Sequence, residues 1–126
     1  MRAMLPPITL LLLLTGFAVW NATTIAEYTD CCISGIDDAA RFAAAEEWPS
    51  AKTALSASYI HWQSFRRHLR ITVTHSMVDA ADSMYCRALA FAETEELTEF
   101  CAETAALRVQ LLLLAETEHF LLENIF

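Results

Sequence analysis

Apolar side chains recur at alternating steps of three and four residues along most of this chain. Such steps place them on one face of an α-helix. Four segments show the pattern and predict helices at about 21–47, 49–70, 76–91 and 95–115. The stretches between them break it. "EEWPS" contains a proline, which opens a helix well but cannot continue one, and "ITVTHS" is rich in β-branched residues.

These apolar positions define the expected core, and Ser76 and Thr94 are the expected N-caps of the third and fourth helices. In chain order the core positions are Ile25, Tyr28, Cys32, Ile36, Ala39 and Phe42; Leu55, Tyr59, Trp62, Phe65 and Leu69; Met77, Ala81, Met84, Ala88 and Phe91; and Leu97, Phe100, Thr104, Leu107, Leu111 and Leu114. Short connections favour antiparallel neighbours. The pattern therefore predicts an all-α fold, an up-down antiparallel helical bundle of about four helices with almost wholly apolar inner faces.

A continuous apolar run precedes the first of these helices. It extends from Met4 to Trp20, carries no charge, and follows a single basic side chain at Arg2. A run of about 17 residues is at the short end of what spans a bilayer, and Trp20 is suited to the membrane interface. We expect residues 1–20 to be a transmembrane anchor or uncleaved signal, continuous with the first helix of a bundle at 21–126.

Two alternatives to the anchor remain open: a cleaved signal peptide, for which Gly16 and Ala18 offer small residues, and a buried soluble helix. Acidic residues follow the run, and no Lys or Arg occurs between it and Arg41. The positive-inside rule then predicts a single-pass protein of the cell membrane, with its N-terminus in the cytoplasm and its body extracytoplasmic.

Composition narrows the expected partners. The chain has 126 residues, of which 56% are hydrophobic and 19% charged, so it is long enough for one folded domain and too apolar to be disordered. Its net charge of −8 excludes nucleic-acid binding by counterion release. The expected partners are the lipid bilayer and an integral membrane protein, and the oligomeric state stays open.

Several landmarks together resemble one family. They are "EEWPSA" at 46–51, Trp62, "HSMVD" from His75 to Asp79, and the final "LLENIF" at 121–126. Their order and spacing are similar to the bacterial family known as domain of unknown function 4363, small proteins with an N-terminal hydrophobic segment and a Leu-Glu/Gln-Asn-Ile-Phe end. The resemblance covers about 45–126, departs from the family between His75 and Asp79, and implies membrane location and architecture but no reaction. Independently of the resemblance, we expect structural roles for Trp48, Trp62, His75, Asp79 and Asn124; His75 falls in a linker, where it can hydrogen-bond a helix end, with Asp79 one turn on.

No catalytic or metal-binding motif is recognisable, so we expect no enzyme and no cofactor. His61, His68 and His75 lie two helical turns apart, about 10.5 Å, which is too far for one metal ion. Glu116 and His119 match half of a di-iron motif, but the second half is missing.

Four cysteines are present. Cys86 and Cys101 lie equally far from the turn between the third and fourth helices, so we predict that they are close enough for a disulfide. Cys31 and Cys32 are expected to be buried small side chains or, less favoured, to form an intermolecular bridge.

A basic cluster and the C-terminal residues are the predicted contact sites. Arg66, Arg67 and Arg70 end the second helix, where they either complement the helix dipole or meet lipid headgroups and a partner. Ile125 and Phe126 are expected to fold back and plug the bundle, with Asn124 capping a helix end; alternatively the tail is a docking peptide.

These features lead to one functional expectation and one alternative. The expected function is that of a binding protein, an accessory or scaffold subunit of an integral membrane partner. The alternative is an extracytoplasmic small-ligand sensor with a pocket lined by Trp48, Tyr59 and Trp62.

Overall fold

Four α-helices make up the described part of the chain. The computed structural model describes residues 5–69 and 75–125, with side chains described except at 18, 21–23, 68–69 and 121–125. The helices are α1 (Leu5–Ala44), α2 (Trp48–Leu69), α3 (His75–Glu93) and α4 (Leu97–Ile125). Each packs against the next, and α4 packs back against α1. The predicted all-α helical bundle is therefore confirmed.

Both hairpin turns end their first helix in the same way. Glu46 and Glu95 adopt the left-handed conformation, with φ of 60° and 56°. In the first turn the N–H of Glu47 donates to the carbonyl of Phe42 at 2.9 Å, and the second turn makes the equivalent bond at 3.0 Å. These are the bonds of a Schellman motif, which reverses the chain within a few residues and so brings the next helix back antiparallel.

The two hairpins use equivalent positions along most of their length, although Trp48 is buried and its counterpart Leu97, an expected core residue, is exposed. The turn sequences "FAAAEEW" and "FAETEEL" correspond when each position is compared with the one 49 residues later, as Phe42 with Phe91. The same offset relates buried residues of α1 and α2 to buried residues of α3 and α4: Cys32, Ile36, Ala39 and Ala43 to Ala81, Tyr85, Ala88 and Ala92; and Ala51, Leu55, Ser58, Trp62 and Phe65 to Phe100, Thr104, Leu107, Leu111 and Leu114. The bundle is thus an internal repeat of one helical hairpin.

The predicted core is correct for most positions but shifted on α3. The buried residues of that helix are Val78, Ala81, Tyr85, Ala88 and Ala92. Met77, Met84 and Phe91, which were expected at the centre of the face, lie at its half-buried edges. Tyr85 takes the centre because a partner inside the bundle satisfies its hydroxyl.

Four buried polar residues correct the expectation of almost wholly apolar faces. They are Thr29, Ser58, Thr104 and Glu118. The hydroxyls of Thr29 and Thr104 donate to carbonyls one turn earlier in their own helices, at 2.8 and 2.9 Å, which makes their burial inexpensive. The expected N-cap at Thr94 is also wrong. The Thr94 hydroxyl donates back to the carbonyl of Ala90 at 3.3 Å, so Thr94 belongs to the C-terminal end of α3 and does not cap α4.

The C-terminal segment continues α4. Because the helix extends to Ile125, residues 121–125 do not fold back, and the predicted plug is wrong. Asn124 lies within the last helical turn, and its expected capping role stays a prediction. Phe126 lies outside the described residues.

Candidate functional site

The first part of α1 is an apolar arm that no other described part of the chain covers. Large apolar side chains between Leu5 and Trp20 are 43% to 68% exposed, whereas Ile25 is 4% exposed and belongs to the core. These 16 or so residues extend about 24 Å along the helix. No charged residue occurs between Leu5 and Glu27. Among the described residues, no helix is both long and apolar enough to cross a membrane.

The C-terminal end of α4, which we call its lower end, lies at about the same height along the bundle as Trp20. This is where the apolar arm leaves the bundle. Arg108 of α4 and Asp37 of α1 form an ion pair at 3.2 Å, which fixes the relative height of these antiparallel helices. Ile125 follows Arg108 by as many residues as Trp20 precedes Asp37, a distance of about 26 Å along either helix. The bundle therefore ends near Trp20, and the arm continues beyond it.

Arg66 belongs to a partly buried contact between α2 and α3. Its guanidinium donates to one carboxylate oxygen of Asp82, and the indole N–H of Trp62 donates to the other. Asp79 lies 3.9 Å from the same guanidinium but is largely exposed. Arg66 thus has partners within the chain, which the sequence did not indicate, and it is a poor candidate for an external contact.

This contact gives a prediction with a matched control. Asp82→Asn should lower the free energy of unfolding by about 2 kcal/mol, because two donors lose a charged, largely buried acceptor. Asp79→Asn removes an exposed charge near the same Arg66 and should cost less than about 0.5 kcal/mol. Urea unfolding followed by tryptophan fluorescence measures both; equal effects would contradict the assigned roles.

The other predicted contact residues are less constrained. Arg67 is exposed on the last turns of α2. Arg70 lies outside the described residues. His75 begins α3 and is exposed, so it lies at a helix start, close to where the sequence placed it.

The aromatic residues expected to line a ligand pocket instead fill the core. Trp62 is fully buried and stacks on Tyr85, with ring centroids 6.2 Å apart, and Tyr59 lies 5.3 Å from the same ring. Trp48 packs edge-on against Phe100 at 5.5 Å. A different surface groove, of about 470 Å³, lies between α1 and α2 and is lined by Phe42, Pro49, Ser50, Thr53, Ala54 and Ala57.

A buried chain of hydrogen bonds joins α1, α2 and α3. The Ser58 hydroxyl donates to the Cys32 carbonyl at 2.7 Å. Because this uses its only proton, the Tyr85 hydroxyl, also at 2.7 Å, is the donor to Ser58. Burial raises the pKa of the Cys32 thiol from 9.0 to about 11 and raises the pKa of Tyr85 as well. Both groups are therefore neutral at physiological pH, and the Cys32 thiol is unreactive.

The raised pKa of Cys32 predicts alkaline destabilisation. The unfolded thiol loses its proton above pH 9.0 and the folded one only near pH 11. The contribution of Cys32 to stability is thus constant below pH 9 and falls through this window by about 3 kcal/mol, with Tyr85 adding to the loss at the upper end. Urea unfolding between pH 7.5 and 11 should show a shallower fall in Cys32→Ala than in its exposed neighbour variant Cys31→Ala. Identical slopes would contradict the assignment.

The predicted disulfide is not present in the structure. Cys86 and Cys101 are both free and exposed. Cys101 lines a cleft with Asp37 on the α1 side of α4, whereas α3 meets α4 through Glu103, which accepts a bond from Arg87 at 2.8 Å. The sequence did not indicate on which side of α4 the Cys101 thiol lies. Cys32 is buried as expected, and Cys31 is exposed.

Comparison with known proteins gives a family but no activity. A family model described as "Domain of unknown function (DUF4363)" matches residues 19–125, which span the bundle and all but the last residue of the tail. No curated protein and no solved structure matches the chain significantly. Within the described residues, no group of His, Cys, Asp and Glu side chains is arranged to hold a metal ion.

Proposed function

We propose that this chain, which belongs to the DUF4363 family, is a membrane-anchored helical bundle that acts by binding, as an accessory subunit of an integral membrane protein. The observation that carries this proposal is the apolar arm of α1, whose large side chains are exposed on every side from Leu5 to Trp20. A helix that is apolar all round is normally surrounded by lipid or protein. A bilayer covers such a surface without any further specificity.

The position of Trp20, at the same height as the lower ends of α2 and α4, supports the same arrangement. With the arm in lipid, Trp20 lies at the interface, where tryptophan is enriched, and the lower ends of α2 and α4 lie close to the headgroups. Arg2 before the arm and the acidic residues after it orient the chain with its N-terminus in the cytoplasm and its body extracytoplasmic. The protein is then a single-pass protein of the cell membrane.

Arg67 is the side chain best placed for an external contact. It is exposed near the lower end of α2, while its neighbour Arg66 is held by Asp82. At that height a guanidinium can pair with a lipid phosphate or with a carboxylate of a membrane protein. An accessory subunit anchored beside its partner would present such a group at low entropic cost, because the anchor already limits its position.

Photo-cross-linking in intact membranes tests this function. A photoreactive residue at Arg67 should give adducts with one recurring membrane protein, identified by mass spectrometry. The control probe replaces Thr53, which is exposed near the opposite end of the same helix, and should not capture that protein. Only lipid adducts at Arg67, or equal capture from both positions, would overturn the accessory-subunit proposal.

The groove between α1 and α2 supports a second candidate, an extracytoplasmic ligand sensor. Its volume of about 470 Å³ and its mixture of apolar and hydroxyl side chains suit a small organic molecule. A thermal shift with a metabolite panel tests it. A hit that is lost in Ala54→Trp, which would fill the groove, would support the sensor, and a panel without hits would count against it.

A further inference from the structure

The outward face of α4 is apolar although it lies on the surface. Six neighbouring positions carry only small or aliphatic side chains, and all are exposed: Ala102, Ala105, Ala106, Val109, Leu112 and Leu113. We name these residues the α4 face. Leu111, on the opposite side, is fully buried in the core, whereas Val109 is 56% exposed. A surface helix normally has charged or polar residues on this side, so the α4 face has the composition of a covered surface.

The flanks of α4 show that this face points away from the bundle. Arg108 on one flank pairs with Asp37 of α1 at 3.2 Å. Gln110 on the other flank donates to the Met77 carbonyl of α3 at 3.1 Å. The outward sides of the other helices instead carry many exposed or half-exposed polar side chains: Glu27, Asp30, Ser34 and Arg41 on α1; Thr53, Ser56, Gln63 and Ser64 on α2; and Ser76, Asp79, Ser83 and Arg87 on α3.

The spacing within the α4 face fits another helix. Ala102, Ala106, Val109 and Leu113 follow one another at steps of four, three and four, which is the seam of a coiled coil. The two alanines at the upper end allow close approach of two backbones, and the larger Val109 and Leu113 fill the space below. A seam of this kind binds a helix with the same spacing.

We infer that the α4 face binds the α4 face of a second copy of this chain, with the two helices parallel. The four seam positions from Ala102 to Leu113 carry no charge, so along this length two copies of this acidic protein can meet without opposing carboxylates. The inference rests on the proposed anchoring: arms in one bilayer orient all copies alike, so identical faces meet about an axis along the membrane normal. Because α1 and α4 pack side by side, the seam on α4 also runs along the same axis as the arm of α1.

The small area of the α4 face determines under which conditions two copies can pair. Twelve residues of helix are about 18 Å long. With a helix diameter of about 10 Å, they present a strip of roughly 180 Å² per copy. Stable interfaces between soluble proteins bury about 800 Å² per partner. The contact is therefore too small to hold two bundles together in dilute solution, and it depends on the high local concentration that anchoring in a bilayer provides.

The next seam position limits the pair. Glu116 follows Leu113 by three residues and is exposed. In a parallel pair its carboxylate faces that of the second copy, and like charges at this distance repel. Glu116→Gln should therefore increase pairing between copies. A different partner helix carries no such matching carboxylate, so the same substitution would not be expected to strengthen its binding.

Disulfide cross-linking of the full chain in membranes tests the inference. The exposed Cys31, Cys86 and Cys101 are first replaced by serine. Val109→Cys should then give a self-adduct of twice the chain mass on mild oxidation. Ser83→Cys, exposed on the outward side of α3, is the matched control and should give several-fold less. Adding Glu116→Gln to Val109→Cys should raise the yield further.

Each result has one meaning. A self-adduct at Val109→Cys that exceeds the Ser83→Cys control and increases with Glu116→Gln establishes the pair. Membrane-bound chain without a self-adduct, or with adducts to a different protein, overturns the inference but leaves the anchor in place. Chain recovered outside the membrane fraction overturns the proposed anchoring itself.

Discussion

Gly35→Leu is expected to separate α1 from α2 and to lower the free energy of unfolding by about 3 kcal/mol or more. A Cβ atom at Gly35 would lie 2.7 Å from the Cβ of Ser58 and 3.3 Å from its Cα. It would also lie 3.4 Å from the carbonyl oxygen of Ala54. Since two of these three atoms belong to the backbone, no side-chain rotation makes room. The helices must move apart, and the buried Ser58 hydroxyl then loses its bond to Cys32.

Alanine at the same position gives the sharper comparison. In an open helical position Gly→Ala stabilises by up to about 1 kcal/mol. Gly35→Ala should instead destabilise by about 1–2 kcal/mol, because the overlap outweighs the gain in helix propensity. Gly16→Ala is the matched control: nothing lies within 4 Å of its added Cβ, so the bundle should keep its stability. Urea unfolding in mild detergent measures all three variants, and a stabilising Gly35→Ala would contradict the close approach.

Leu12→Arg is expected to have the second large effect, on membrane partition. Leu12 is 68% exposed in the middle of the arm, so the substitution leaves the packing of the bundle unchanged. Arginine at the centre of a membrane-inserted helix costs about 2.5–3.5 kcal/mol, which corresponds to roughly a hundredfold loss of partition. Flotation of the full chain with lipid vesicles measures this. Ser83→Arg, which adds the same charge on α3, should float like the unchanged chain; equal flotation of Leu12→Arg would contradict insertion of the arm.

The periodicity of apolar residues was sufficient to predict the helices, because a buried helix face requires an apolar side chain every three or four residues. The starts of α2 and α3 fell within one residue of their expected positions. The α3 face was misplaced by about one residue because Tyr85, with its hydroxyl, was not considered a core residue. The clearer signal was the correspondence of "FAAAEEW" with "FAETEEL". It would have placed Tyr85 at the position equivalent to Ile36, which is buried.

Contacts between helices were harder to predict than the helices themselves. The sequence did not show on which side of α4 the Cys101 thiol lies, because a single sequence does not determine how each helix is rotated about its axis. The bond from Arg66 to Asp82 was missed for the same reason. The tail was misjudged because α4 has no proline or glycine that would end it before Ile125. The sequence did identify the apolar arm, which needs no knowledge of a neighbouring helix.

The measurement that tests the central claim most directly is labelling of intact cells with a membrane-impermeant maleimide, followed by isolation of membranes. Cys86 and Cys101 lie on the surface of the bundle, whereas Cys32 is fully buried and serves as an internal control. An anchored, extracytoplasmic bundle predicts that membrane-bound chain is labelled at Cys86 and Cys101 without lysis, and not at Cys32. Labelling only after lysis, or recovery of the chain in the soluble fraction, would contradict the account.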